Sequence, residues 1–179
     1  MLNNLSLGVK MLFNVKNIEC KIGKRKLLKK QSFKLKKQDH LLIFGPSGAG
    51  KTTLLNLMSG LLKPSSGEII FEDVEISTLN ENDMDKLRAK KFGFIFQKVH
   101  LINHLTVKEN IELAINNEID FDFNKIISEL GLFNLINKLA KTLSFGESQR
   151  VAIARGIANQ PTVIFADEPT SGLDDENTE

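Results

Sequence analysis

The chain has 179 residues, of which 41% are hydrophobic and 26% are charged, and this balance is typical of one globular domain. The single cysteine, Cys20, excludes an intramolecular disulfide framework and a multi-cysteine metal cluster. No apolar run approaches the roughly 20 residues that span a bilayer, and residues 1–10 lack the apolar core of a secretory signal. We therefore expect neither a membrane span nor export by that route.

The net charge of +2 is unevenly distributed, because residues 1–40 carry +9 and residues 41–179 carry −7. A basic segment of this kind can contact nucleic acid or anionic lipid. However, Phe33 and Leu35 alternate with Lys34 and Lys36, which favours a small sheet with a solvated lysine face. No nucleic-acid partner is therefore expected.

Predicted strands and helices alternate along the chain, which indicates an α/β fold with a mainly parallel sheet. Met11 is a second possible start, so that residues 1–10 are interpreted as an N-terminal extension. The strands at 41–44 and 162–166 are continuous apolar runs, as in strands that are buried on both faces. The predicted strands are 12–18, 32–35, 41–44, 68–71, 92–96 and 162–166, and the predicted helices are 51–61, 82–90, 106–114, 125–139 and 147–158.

A glycine-rich turn between the strand at 41–44 and the helix at 51–61 matches the phosphate-binding pattern G-x-x-x-x-G-K-[ST]. Glycines let successive N–H groups point at phosphate oxygens, and the helix N-terminus adds partial positive charge. Lys51 can reach the β- and γ-phosphates, the Thr52 hydroxyl can bind Mg²⁺, and Thr53 can reach the α-phosphate. The turn predicts a bound nucleoside triphosphate, as in kinases, GTPases, helicases and transport ATPases. Its eight residues are Gly45, Pro46, Ser47, Gly48, Ala49, Gly50, Lys51 and Thr52.

Two carboxylates follow the apolar strand at 162–166. Asp167 falls at the carboxyl end of the strand, where sheets of this class place ligands, and it can hold Mg²⁺ opposite Thr52. Glu168 can polarise a water molecule for in-line attack on the γ-phosphate. The alternative interpretation is a pair of solvated carboxylates that simply end a strand.

Residues 143–150 read Leu-Ser-Phe-Gly-Glu-Ser-Gln-Arg, and this segment resembles the L-S-G-G-[QE] signature of the ATP-binding subunits of ABC transporters. Gln97, at the end of the strand at 92–96, resembles the Q-loop glutamine of that family. Four motifs occur in the family's order, over about residues 12–175. The nearest subgroup covers lipoprotein release, macrolide export and cell division. The residues that resemble the family's D-loop are Ser171, Gly172, Leu173 and Asp174.

The resemblance implies a P-loop NTPase core with a mainly parallel sheet, a small N-terminal antiparallel β-subdomain and a helical subdomain at about 98–150. It also implies an ATPase that uses ATP and Mg²⁺, and a place on the cytoplasmic face of the cell membrane beside a transmembrane permease subunit. Gln97 would contact Mg²⁺ and the attacking water. Two subunits would close head to tail around two ATP molecules, in a homodimer. Ser144 and the backbone of Gly146 would bind the γ-phosphate of the opposite subunit. The residues of this signature that would act across the dimer are Ser144, Phe145, Gly146 and Glu147.

Ser144 also has a local interpretation, because Ser144 and Glu147 fit a capping box at the start of a helix. The sequence departs from the family in the signature, where Phe145 replaces a glycine and would be costly if that position needs positive φ. The chain has no Tyr or Trp, so that Ile22 stands where the family stacks an aromatic ring on adenine.

The family continues beyond its D-loop with further strands and a switch histidine, and no histidine here follows Asp167. We therefore expect a truncated or split gene product that lacks the C-terminal part of the domain. Two alternatives remain open: a nucleotide-binding module with little or no hydrolysis, and a soluble ABC ATPase without a transport function.

Overall fold

The computed structural model describes residues 10–115 and 122–169. These residues form two units, one up to Met84 and one from Asp85 onward. No helix within the described ranges is long and apolar enough to cross a bilayer. The predicted N-terminal extension, apart from Lys10, and the four residues that resemble the D-loop lie outside the described residues.

The first unit contains a four-stranded antiparallel sheet, with strand order β2-β1-β3-β4. It corresponds to the small antiparallel β-subdomain that the resemblance implies. Phe13 and Phe71 face each other across β1 and β3 with ring centroids 5.0 Å apart, and both are buried. Strands β1 and β2 are longer than predicted because Gly23, at φ +58°, makes a tight hairpin between them. The strands are β1 (Met11–Ile22), β2 (Arg25–Lys36), β3 (Ser66–Phe71) and β4 (Val74–Glu75).

The lysine-rich strand β2 forms one edge of this sheet. Its lysines at 34 and 36 are exposed, as the alternating pattern predicts, and those at 29 and 30 are exposed as well. Charged side chains on an edge strand hinder pairing with another chain, so that a protective role for these lysines follows from their position. On the adjacent strand, Glu19 forms ion pairs with Lys21 and Lys26, both at 2.8 Å, and these two lysines lower the pKa of its carboxyl to about 2.

The prediction of a buried strand at 41–44 is wrong for this structure. The segment forms no strand and has no ladder partner among the described residues, and Leu42 and Phe44 are 74% and 86% exposed. An apolar run becomes a buried strand only when neighbouring strands supply hydrogen bonds and cover both faces. The segment leads directly into the glycine-rich turn and helix α1 (Lys51–Met58).

The second unit has a parallel strand pair, β5 and β6, beside a helical cluster. The helix predicted at 125–139 ends at Glu129, because Gly131 takes a left-handed conformation (φ +61°) and two 3₁₀ turns follow. The buried side chains of the cluster come mainly from α3, α4 and α5 and include Val107, Ile111, Ile127 and Val151. The elements are α2 (Glu81–Lys91), which begins in the first unit, β5 (Phe92–Ile95), α3 (Val107–Glu112), α4 (Phe123–Glu129), α5 (Phe145–Ile157) and β6 (Val163–Ala166).

Candidate functional site

The glycine-rich loop 45–50 curls directly into the first turn of α1. Gly48 and Gly50 are in left-handed conformations, with φ of +78° and +92°, which other residues adopt only at a cost. A Cβ on Gly50 would lie 2.6 Å from the carbonyl oxygen of Leu27, so glycine is also required there by close packing against β2. Ala49 donates its N–H to the carbonyl of Pro46 at 3.2 Å, which closes a turn within the loop.

Lys51 is the first residue of α1, and its ammonium group folds back over this loop. The Nζ atom donates hydrogen bonds to the carbonyl of Gly45 at 2.9 Å and to that of Pro46 at 3.2 Å. The first turn of α1 contains no acidic residue that would compete for an anion. An exposed loop, a helix N-terminus and a positioned ammonium group together fit the phosphates of a nucleotide.

The strand pair β5 and β6 brings a second group of predicted residues together. The parallel register pairs Ile95 with Ala166, so both strands end at the same edge, and the Asp167 N–H donates to the Ile95 carbonyl at 2.9 Å. Gln97 and Glu168 follow these strand ends, and the Gln97 amide donates a hydrogen bond to Glu168 Oε2 at 2.7 Å. Stacked phenylalanines, among them Phe94 and Phe165 at 5.7 Å, support the pair.

The backbone of Glu168 is strained. Its φ of +49° lies in the left-handed region, which few residues other than glycine adopt and which costs about 1–3 kcal/mol where the surrounding structure enforces it. Such strain is concentrated at functional sites. The position therefore fits a residue whose side chain must point in one defined direction.

Magnesium is the metal that the resemblance implies. No group of three or more His, Cys, Asp or Glu side chains in the described ranges is arranged to hold a metal ion by itself. Mg²⁺ in nucleotide sites takes only one or two protein oxygens and completes its shell with phosphates and water. The hydroxyl of Thr52, the carboxylate of Asp167 and the amide oxygen of Gln97 are donors of the kind that Mg²⁺ prefers.

The signature segment forms the N-terminus of α5, and its capping box is confirmed. The Ser144 hydroxyl accepts from the Glu147 N–H at 3.2 Å, and the Ser144 N–H donates to Glu147 Oε2 at 2.7 Å. This backbone hydrogen bond is the main cause that lowers the pKa of the Glu147 carboxyl. Phe145 is the first residue of the helix and its φ is not positive, so the backbone strain that a positive φ would cause is absent there. Its side chain is 54% exposed.

The structure places the remaining predicted residue, Ile22, at the end of β1, where its side chain is 64% exposed. It is available for apolar contact, and its role toward adenine stays a prediction. Of the predicted groups, Lys51 and Thr52 belong to the first unit, whereas Gln97 and Glu168 belong to the second.

Two residues of α5 contact the loops that follow Gln97 and Glu168, and none of the sequence motifs predicts a role for either of them. Gln149, which is fully buried, donates to the carbonyl of Pro169, and Arg155 donates to the carbonyls of Val99 and His100. Gln149 shares a helical stripe with two small buried residues, Ala152 and Gly156. The position of Gln149 on an otherwise apolar stripe is the sequence signal for such a contact, because a buried polar side chain needs a hydrogen-bond partner.

The model of the ABC transporter family matches residues 28–171, which is most of the chain. The chain therefore belongs to the ABC transporter family, as the four motifs predicted. Among its relatives, the lipoprotein-releasing system ATP-binding protein LolD of Buchnera aphidicola is 46% identical over 156 residues, which are 84% of this chain and 68% of that protein. A putative ABC transporter ATP-binding protein of Mycoplasma pneumoniae, the MG065 homologue, is 41% identical over 157 residues.

The Mycoplasma match covers 86% of this chain, but the chain spans only about a third of that relative, 34% of its length. A solved structure, the dimeric post-hydrolysis state of the ATP-binding cassette MJ0796 bound to ADP and Pi, superposes with a TM-score of 0.81. It is 34% identical in sequence, and the superposition covers 93% of this chain and 78% of that one. The α/β cassette fold is therefore confirmed.

Proposed function

We propose that this chain is the ATP-binding and ATP-hydrolysing subunit of a transporter. The observation that carries the proposal is the loop 45–50, whose left-handed glycines lead into α1 beneath the ammonium group of Lys51. In this proposal the loop amides and Lys51 bind the phosphates, and Ile22 contacts the base. Family membership supports a nucleotide as the ligand rather than another phosphate compound.

The residues at the ends of β5 and β6 would carry the hydrolytic chemistry. Glu168 would take a proton from the attacking water, and the amide of Gln97 would orient both the carboxylate and that water. Thr52, Asp167 and Gln97 would hold Mg²⁺, which supplies neutralisation of charge on the β- and γ-phosphates. The 2.7 Å hydrogen bond between Gln97 and Glu168 supports this assignment, since a base must be held in a defined orientation.

A second subunit would complete the site. The capped N-terminus of α5 would offer Ser144 and the backbone of Gly146 to the γ-phosphate bound by the other copy, because a helix N-terminus is a suitable anion partner. The dimeric state of the MJ0796 cassette supports this arrangement. We keep residues 171–174 as the D-loop of the cassette on the sequence resemblance alone.

Phosphate release from purified chain tests the hydrolytic part of the proposal. Turnover should require Mg²⁺, should be lost in Lys51→Ala, and should rise more steeply than linearly with protein concentration because two copies share each site. Tight ATP binding without turnover would reject hydrolysis by this chain and favour a nucleotide-binding module. Turnover by a protein that remains monomeric would reject the shared site.

Attachment to a membrane partner needs a separate test. The segment 98–105, which follows Gln97, would face a permease on the inner side of the cell membrane. A photo-crosslinking residue placed at Lys98 or at Asn103 should give an adduct with a membrane protein of several spans. Equal labelling from a control site on strand β2, at Lys30, would contradict the assignment.

A further inference from the structure

Helix α5 contacts both loops that carry the proposed hydrolytic pair. The first contact comes from Gln149, whose side chain is fully buried. Its Nε2 donates to the carbonyl oxygen of Pro169 at 2.5 Å, and Pro169 directly follows Glu168. Gln149 Oε1 is also buried and has no hydrogen-bond partner among residues 10–115 and 122–169. Burial of an amide costs free energy, and the hydrogen bond that its donor makes to Pro169 offsets part of that cost.

The second contact comes from Arg155, six residues further along α5. Its Nη1 donates to the carbonyl of His100 and its Nη2 to that of Val99, both at 2.8 Å. Both acceptors lie in the segment just after Gln97. The guanidinium group is partly buried, and burial lowers its pKa. A planar fork that bridges two successive carbonyls fixes the path of a loop in a way that a single donor cannot.

Both loops are strained at the residues next to these contacts. Glu168 and His100 have φ of +49° and +46°, although neither is glycine. A strained backbone persists only where the surrounding structure enforces it. The two donors from α5 supply such enforcement, one beside each strained residue. The hydrogen bond from Gln97 to Glu168 joins the same two loops at their side chains.

We infer, resting on the proposed function, that Gln149 and Arg155 are positioning residues. Gln149 fixes the backbone that orients Glu168, and Arg155 fixes the backbone that orients Gln97. Helix α5 thus links the signature segment at its own N-terminus to the base and the water-orienting amide. A change in the position of this helix alters the geometry of hydrolysis without touching the nucleotide.

The kinetic test uses substitutions that keep side-chain volume. Gln149→Met removes the amide that donates to Pro169, and Arg155→Met removes the guanidinium group that donates to Val99 and His100. Arg155→Lys keeps the charge but can reach only one of these two carbonyls. At saturating ATP we expect kcat to fall about tenfold or more in both Met variants, because small misplacement of a reacting group is costly. KM for ATP should change little, and Arg155→Lys should be intermediate. A parallel change in KM, or kcat equal to wild type, would overturn the inference.

The matched control is Asn159→Leu, two residues past the end of α5. Asn159 also donates its side-chain amide to a backbone carbonyl, that of Ala89, but that acceptor belongs to α2 and lies in neither loop. This variant should keep wild-type kcat even where its melting temperature falls as far as that of Gln149→Met. A loss of kcat in Asn159→Leu equal to that of Gln149→Met would show a general structural effect and would overturn the inference.

Hydrogen exchange separates failure of this inference from failure of the proposed function, since it needs no turnover. In Gln149→Met the amides of Asp167 and Glu168 should exchange faster, and in Arg155→Met those of residues 98–101 should do so. Asn159→Leu should change neither set. Unchanged exchange in the Met variants would overturn the inference even if the chain hydrolyses ATP. Faster exchange at these amides in a chain without turnover would uphold the positioning and reject the proposed hydrolysis.

Discussion

The side-chain amide of Gln97 donates a 2.7 Å hydrogen bond to Glu168 Oε2, and so joins two residues that lie 71 positions apart in the chain. The parallel register of β5 and β6 makes this contact possible, because both strands end at the same edge. In the proposed function, this oriented carboxylate accepts a proton from the attacking water.

Glu168→Gln should retain ATP binding and lose hydrolysis. The amide has nearly the same shape and can still accept from Gln97, but it cannot take a proton, so that kcat should fall by about 10² or more. Phosphate release and equilibrium binding of labelled ATP measure the two effects. Glu129→Gln, on the exposed surface of α4, is the control and should keep full turnover. Hydrolysis close to the wild-type rate in Glu168→Gln would refute the role of Glu168 as the base.

Lys51→Ala should weaken nucleotide binding far more than it weakens the fold. The hydrogen bonds of Lys51 to the Gly45 and Pro46 carbonyls are exposed, so their loss should cost no more than about 1 kcal/mol of unfolding free energy. Titration with ATP measures the loss of nucleotide affinity, and urea denaturation measures the loss of unfolding free energy. Lys63→Ala removes a comparable lysine hydrogen bond, to the carbonyl of Leu79, and should leave ATP affinity intact. Equal affinities in the two variants would contradict the assignment.

Gly50→Ala should destabilise the protein more than Gly48→Ala. Both glycines have positive φ, and an alanine in this region costs about 1 kcal/mol. A Cβ at Gly48 meets nothing within 4 Å, whereas at Gly50 it would lie 2.6 Å from the Leu27 carbonyl. We expect a total loss of about 2–3 kcal/mol for Gly50→Ala in urea denaturation. Equal losses in the two variants would show that Gly50 is not packed closely against β2.

The capping box of α5 predicts a defined pH dependence of stability. Hydrogen bonds from Ser144 lower the pKa of Glu147 below its usual value of 4.5. The carboxylate therefore stabilises the folded state above about pH 4.5, and this contribution is lost as the pH falls through the lowered folded pKa. Glu147→Ala should be less stable than wild type near about pH 7, and the difference should shrink below about pH 4.5.

Urea denaturation over this pH range measures that difference. Glu112→Ala, which removes an exposed ion pair with Lys108 rather than a cap, is the control and should differ little from wild type throughout. A difference between wild type and Glu147→Ala that stays constant down to about pH 3 would contradict the cap's electrostatic contribution.

Local sequence signals predicted much of the fold and the candidate site. The spacing of Ser144 and Glu147 predicted the start of α5, and the glycines before Lys51 predicted the loop that the structure shows. These features are determined by residues that lie close together in the chain. The family resemblance then supplied the antiparallel subdomain, which periodicity alone did not separate from the parallel sheet.

Features that depend on distant partners were harder to predict. The apolar segment 41–44 reads as a buried strand, yet Phe44 is 86% exposed because no described strand pairs with it. The sequence predicts one helix over 125–139, but in the structure the helix stops before Gly131, whose backbone is left-handed. The role of Gln149 depends on a carbonyl group 20 positions away in the chain, and that of Arg155 on two carbonyl groups 55 and 56 positions away. No local sequence pattern identifies these acceptors.

The central claim is that the loop around Lys51 and the acids at 167 and 168 serve one magnesium–ATP. A crystal structure of Glu168→Gln soaked with ATP and Mg²⁺ tests it most directly. We predict one Mg²⁺ that touches the Thr52 hydroxyl and a γ-phosphate oxygen, with Asp167 bound directly or through one water. An ATP in the loop whose Mg²⁺ lies beyond the reach of Asp167, or an ATP bound elsewhere, would contradict it.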